Sequence, residues 1–230
     1  TLLVIMMCIM ASQGITWQQL CPWREEKGLH YCCSNIVTVY QNFPSNINFL
    51  HLDHTFIKNL TPEAFQNLNN LVWLNLSENR ISDIPSTIFD KNARLEVLDL
   101  SYNKIESLPN SLFQNLVNLH VLNLKKNRIR SLPDDIFRNQ RDLDKLDLSL
   151  NYLLTLREAV LSPIAKPEYL DISANRFQCD CDLLGVRMWV EKHLLSVDAD
   201  CDLPENKSSV HWSKIEHKDV CHDISMMNDT

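Results

Sequence analysis

Glycine is almost missing from this 230-residue chain, which holds only 3. That excludes glycine-rich phosphate loops and leaves no flexible glycine linker between domains. Positive charge is also short: 22 Lys and Arg stand against 29 Asp and Glu, for a formal net charge of −7. General affinity for nucleic acid is excluded with it, because phosphate binding needs clustered cations. A local basic patch is still compatible with that balance. No apolar run reaches the roughly 20 residues that a membrane-spanning helix requires. What the chain does hold is apolar material: 45% of its residues are hydrophobic, enough for a substantial core in one or two domains.

The N-terminus, Thr1 to Met10, is apolar, and Ala11-Ser12-Gln13-Gly14 follows it with small and polar residues. The pattern predicts a secretory leader over 1–14, cut after Gly14, with Ser12 and Gly14 in the small-residue positions before the cleavage. It carries no initiator Met and no basic stretch, as in a leader cut short at its start. Ser225 to Thr230 is polar and lacks the apolar tail of a GPI signal. The expectation is a soluble secreted protein with no membrane span in this chain, or a receptor ectodomain if an apolar run follows.

The interior is periodic. Ile47, Leu50, Leu52, Thr55 and Ile57 are followed 24 residues later by Leu71, Leu74, Leu76, Asn79 and Ile81. The series continues at Leu95, Leu98, Leu100, Asn103 and Ile105, then at Leu119, Leu122, Leu124, Asn127 and Ile129. It ends with Leu143, Leu146, Leu148, Asn151 and Leu153, and with Pro167, Leu170, Ile172, Asn175 and Phe177, six repeats with no insertion. Paired leucines such as Leu74 and Leu76 alternate with polar residues, which marks a short half-buried strand. One such strand cannot bury its apolar face alone, so the repeats must stack as a parallel sheet over a continuous core. The Asn points inward to pair backbone groups of adjoining turns, and Thr55 does so only partly. Phe65, Phe89, Phe113 and Phe137, with Leu161 in the fifth repeat, fill the convex side, and Pro85, Pro109 and Pro133 punctuate the connections.

Cys21, Cys32 and Cys33 precede this array, and Cys179, Cys181, Cys201 and Cys221 follow it; Cys8 belongs to the leader. Thiols confined to the two ends of a secreted stack argue for disulfides that seal the exposed core. Metal chemistry at Cys179-x-Cys181 is the weaker reading, and no cofactor is expected. Cys21-Pro22 opens the first cap. Spacing to Val37-Thr38-Val39 fits Cys32 slightly better than Cys33 as its partner, and the choice stays open. One thiol is left over, either buried or free to form an intermolecular bridge and hence a dimer.

The 24-residue repeats with Leu-Asp-Leu-Ser strands, and the run Asn175-Arg-Phe-Gln-Cys179-Asp-Cys181-Asp-Leu183 before a helix-like 183–195, resemble extracellular leucine-rich repeat proteins. Ectodomain segments of Toll-like receptors and related secreted proteins are the nearest likeness, over residues 21–221. The resemblance implies an α/β fold: a curved solenoid, horseshoe-like in arc, with a parallel concave sheet, an irregular or short-helical convex side and disulfide-bonded caps. It also implies the pairs Cys179–Cys201 and Cys181–Cys221. The expected divisions are an N-terminal cap over 15–46, repeats over 47–177, a C-terminal cap over 178–221 and a tail over 222–230.

In such stacks the strand side chains that point to solvent on the concave sheet do the binding. Three outward columns follow from the register. The first is Phe49, Trp73, Val97, Val121, Lys145 and Tyr169; the second is His51, Asn75, Asp99, Asn123, Asp147 and Asp171; the third is Asp53, Ser77, Ser101, Lys125, Ser149 and Ser173. The first forms an apolar stripe and is the candidate contact surface, unless part of it packs against a cap or loop. From all three, Phe49, His51, Trp73, Val97, Asp99, Val121, Lys125, Lys145, Asp147 and Tyr169 are the candidate ligand-binding residues. The remaining Asp and Ser read as a solvated face. Lys125, Lys126, Arg128 and Arg130, with Lys104 and Lys145 one repeat away, form a basic cluster, either simply solvated or suited to a sulfated glycan or other anion.

Asn59, Asn75 and Asn206 begin Asn-x-Ser/Thr sequons, as does Asn228 near the end, and a glycan on Asn75 would obstruct the stripe beside Trp73. No catalytic constellation emerges. His51 and His54 fall on opposite faces of a strand, and the Ser and Asp columns lack a partnering His in register. The function expected is non-catalytic recognition of a protein or a microbial or host glycan, which the resemblance extends to innate immunity. An extracellular matrix or adhesion protein, or a fragment of a Toll-like receptor, are the other readings.

Overall fold

The computed structural model describes residues 23–25, 29–32, 38–39, 43–178, 180–202 and 209–214. The leader, Cys21, Cys33, Cys179, Cys221, Asn206 and Asn228 lie outside these residues. Six three-residue strands recur at the 24-residue step: β4 (Phe49–His51), β6 (Trp73–Asn75), β7 (Val97–Asp99), β8 (Val121–Asn123), β9 (Lys145–Asp147) and β10 (Tyr169–Asp171). All pair in parallel with like residues opposite one another, so that Leu50, Leu74, Leu98, Leu122, Leu146 and Leu170 form one row. The chain is a parallel solenoid, as its period demands. An antiparallel hairpin, β1 (Trp23–Glu25) with β2 (Leu29–Cys32), extends the sheet beyond β4 to eight strands. Below it β3 (Thr38–Val39) pairs with β5 (Asn59–Leu60).

The Asn of each repeat ties the stack together. Asn127 Nδ2 donates to Leu100 O at 2.9 Å and Leu124 O at 3.0 Å, while its Oδ1 accepts the Ile105 N–H at 3.1 Å. Asn79, Asn103, Asn151 and Asn175 repeat the pattern. Turn carbonyls and amides that the sheet cannot reach are thereby paired, which their burial requires. Thr55 has only a hydroxyl: it donates to its own Leu52 O and otherwise depends on Asn79 Oδ1.

On the other side Phe65, Phe89, Phe113, Phe137 and Leu161 are buried in one column. The rings of Phe65 and Phe89 stack at 6.0 Å, and those of Phe113 and Phe137 at 5.9 Å. Paired strands are only about 4.8 Å apart. A stack wider on the Phe side than on the strand side must bend, with the sheet on its inner, concave surface. A second polar column there escaped the sequence reading: Asn92 Nδ2 donates to Phe65 O and Leu68 O, and Gln140 Nε2 to Phe113 O and Leu116 O. It alternates with Leu68, Leu116 and Ile164 at the same step, so period alone hid it.

The convex connections are mostly tight turns rather than helices. Ile88, Leu112 and Ile136 close four-residue turns on the carbonyls of Pro85, Pro109 and Pro133. Only repeat five, with Arg157 in the proline position, winds a helical turn, α1 (Glu158–Leu161), where Ser162 N–H reaches Glu158 O. The C-terminal helix α2 spans Cys181–Lys192, two residues earlier at its start than the expected 183–195 and three shorter at its end. Asp180 decides the start: its carboxylate caps the Leu183 N–H at 2.9 Å. Leu183, Leu184, Val186, Trp189 and Val190 of α2 are buried over the last repeat. Beyond it β11 (Asp200–Asp202) pairs antiparallel with β12 (Ser209–His211). Cys181 and Cys201 are both disulfide-bonded. No helix among the described residues is long and apolar enough to cross a membrane.

Candidate ligand-binding face

Each strand of the array shows its first and third residues to solvent and buries its middle leucine, because successive side chains point to opposite faces. The first and second columns therefore lie where the register places them. Phe49, Trp73, Val97 and Val121 are half-buried neighbours on consecutive strands, an unbroken apolar run of about 14 Å. Lys145 then interrupts it, held near Glu168 at 3.8 Å, so that Tyr169 stands apart from the run rather than completing it. Trp73 is supported from its own face by His51, whose ring lies 4.4 Å away at 44°.

The second column has a job that its residue types concealed. In repeats two to six the side-chain oxygen accepts the backbone N–H two residues on: Asn75 from Ser77, Asp99 from Ser101, Asn123 from Lys125, Asp147 from Ser149 and Asp171 from Ser173. Asn and Asp do this readily at strand ends, and the bond fixes the turn that follows. Asp99 and Asp147, named as contact residues, are thus first of all turn-formers. The third column departs from a solvated face too, with Ser101 and Ser149 buried to 3% and 1% exposure. The turns these bonds fix place Glu78, Tyr102, Lys126, Leu150 and Ala174 at positive φ, from 53 to 56°, and His54 takes the same conformation in the first repeat. With glycine so scarce, ordinary side chains occupy a conformation that costs each about 1–2 kcal/mol.

The lower end of the face is acidic. Burial works to raise Asp171, but hydrogen bonds from the Ser173 hydroxyl and N–H and from Tyr169, with the charge of Lys125, hold it below its ordinary value. Burial first, then the Asp171 and Asp147 carboxylates, push the Tyr169 phenol up, so it remains a neutral donor to Asp171 at 3.3 Å.

The basic cluster divides in two. Lys125 and Lys145 belong to the sheet face and are matched by Asp147 and Glu168, each at 3.8 Å. Lys104, Lys126, Arg128 and Arg130 stand instead on the flank where the chain leaves the strands. Asn59 is exposed. Asn75 is half-buried, with its carboxamide oxygen committed to Ser77. Among the described residues no group of His, Cys, Asp and Glu is arranged to hold a metal ion.

The leucine rich repeat profile matches residues 45–105, 72–129 and 117–177, together more than half of the chain. The chain belongs to the leucine-rich repeat family. Membership accords with the 24-residue step, the parallel sheet and the Asn ladder, and it identifies the molecule as an interaction scaffold for protein partners. No curated protein matches the chain as a relative.

Proposed function

We propose that this leucine-rich repeat protein is a secreted, non-catalytic recognition protein that binds a protein ligand across its concave sheet. The observation that carries the reading is the unbroken run Phe49, Trp73, Val97 and Val121. Aligned apolar side chains on a rigid backbone form the kind of desolvated centre that dominates protein interfaces. Asp99, Asp147, Lys125, Lys145, His51 and Tyr169 would rim it and select a partner by charge. The leader-like 1–14 and disulfides at Cys181 and Cys201 support an oxidising, extracellular setting. In that setting Cys179–Cys201, Cys181–Cys221 and Cys21 with Cys32 or Cys33 are the pairs we assign, and Asn59 and Asn206 the glycan sites. Recognition in innate immunity follows from the likeness to Toll-like receptor ectodomains.

The test is a screen of the purified protein against an array of extracellular protein domains, with heparin and microbial polysaccharides in parallel. A protein ligand found there should bind roughly 30-fold more weakly to Trp73→Ser, in keeping with loss of a central aromatic. Val117→Ser, exposed away from the sheet, should leave it unchanged. A ligand indifferent to both Trp73→Ser and Phe49→Ser would sink the proposal.

A further inference from the structure

A second surface carries a character of its own. In each repeat the chain leaves the strand through a segment whose alternate residues face out, before, between and after the Asn or Thr and the apolar residue two places on. Most of the large apolar side chains left in solvent among the described residues lie on this flank: Phe56, Tyr102, Leu150, Tyr152 and Leu154. So do the cations that the sheet face does not match. The two kinds meet at repeats four and five. Lys126, Arg128 and Arg130 stand exposed on one rung, and Leu150, Tyr152 and Leu154 stand in the equivalent positions of the next.

We infer that this flank of repeats four and five docks an acidic protein segment bearing apolar side chains. The rungs are about one strand spacing apart, roughly 5 Å, so a segment laid between them contacts both at once. Charge complementarity selects the occupant. The chain is acidic overall at −7, yet among these six positions three are cationic and none anionic. Among the described residues, Arg128 alone of the three cations is ion-paired, with the exposed Glu106 at 3.7 Å, a contact that an incoming carboxylate can replace at little cost. A sulfated glycan would use the cations and leave the apolar rung uncovered. A bilayer would need side chains that protrude, whereas Tyr152 lies flat beneath the Arg176 guanidinium at 4.5 Å. Arg and Tyr beside aliphatic side chains are the usual composition of a protein contact.

The surface is also held ready. Lys126 and Leu150 both sit at positive φ, 53° and 56°, in turns locked by the buried Asn127 and Asn151. Lys126 is further placed over the Tyr102 ring at 4.8 Å. Little ordering is then required on binding, which favours affinity.

The experiment is selection of random twelve-residue displayed peptides on the whole protein. The expected winners combine Asp or Glu with Leu, Phe, Tyr or Trp. Their binding should weaken at least tenfold in Arg128→Glu/Arg130→Glu and at least fivefold in Leu150→Ser/Leu154→Ser, and should persist in Trp73→Ser, which reads the sheet face instead. If charge reversal lowers the melting temperature, Arg128→Gln/Arg130→Gln with a salt titration makes the same measurement, binding falling as salt rises. Winners without acidic residues, or winners indifferent to the leucine pair, overturn the inference. So does tighter binding of heparin fragments or phosphatidylserine vesicles that depends on the cations alone.

Discussion

A buried amide is only as valuable as the groups that have no other partner. The Ile105 N–H relies on Asn127, and the Leu100 carbonyl has only Asn127 and the equivalent Asn103 to accept from, whereas Phe113 O and Leu116 O, which Gln140 contacts, already accept the backbone N–H groups of Leu116 and Leu119. Gln140 even leaves its own Oε1 buried without a partner. Asn127→Leu should therefore cost about 3–5 kcal/mol, since several buried groups lose their bonds at once. Gln140→Leu, matching the leucines of its column, should cost under about 1 kcal/mol; urea unfolding of the two variants checks the contrast. The Asp171 carboxyl adds a pH dependence. Its folded value is depressed, so its contribution is fully present above the ordinary carboxylate range and lost as pH falls through the lower, folded value. Asp171→Asn should melt below the parent at pH 7, and the gap should narrow in acid. The Asn ladder was legible because each Asn stands alone in an apolar register. The Asp and Asn of the second column were not, because a strand-end residue that bonds its own turn has the same polarity as one that faces solvent.

Strands of three residues are stable here only as members of a stack, and their existence followed directly from the 24-residue period. Their first-column side chains were legible as well, down to the pairing of Phe49 with Trp73 and Val97 with Val121. Helix α2 was placed correctly but started late, because the acidic residue between two cysteines draws attention to the disulfides before the cap. Asp180→Ala should destabilise the C-terminal cap by about 1 kcal/mol through the lost bond to Leu183 N–H. Thermal unfolding followed at Trp189 and Trp212, both buried in this region, reports it. The division of the basic cluster was invisible in sequence, where Lys125 and Lys126 are neighbours. A one-residue step from strand into turn sends one to the sheet and the other to the flank.

At the scale of the molecule, each repeat touches chiefly the repeats on either side, so stability is close to a sum over interfaces. Amides of the central strands, such as Leu98 and Leu122, should exchange most slowly in native-state hydrogen exchange, and those of β4 and β10 faster. Equal protection throughout would show that the caps couple the stack into a single cooperative block. The two surfaces differ in the same architectural way: the sheet's cations Lys125 and Lys145 are paired with carboxylates, whereas among the described residues only Arg128 of the flank cations Lys126, Arg128 and Arg130 has one, Glu106.

The Asn ladder also has a direction. Each Asn bonds its own turn and the turn made before it, Asn79 to Leu52 and Ile57, Asn175 to Leu148 and Leu153. During synthesis, a repeat that has just emerged thus finishes its predecessor without waiting for its successor. The molecule can be laid down course by course, like masonry, from the amino end.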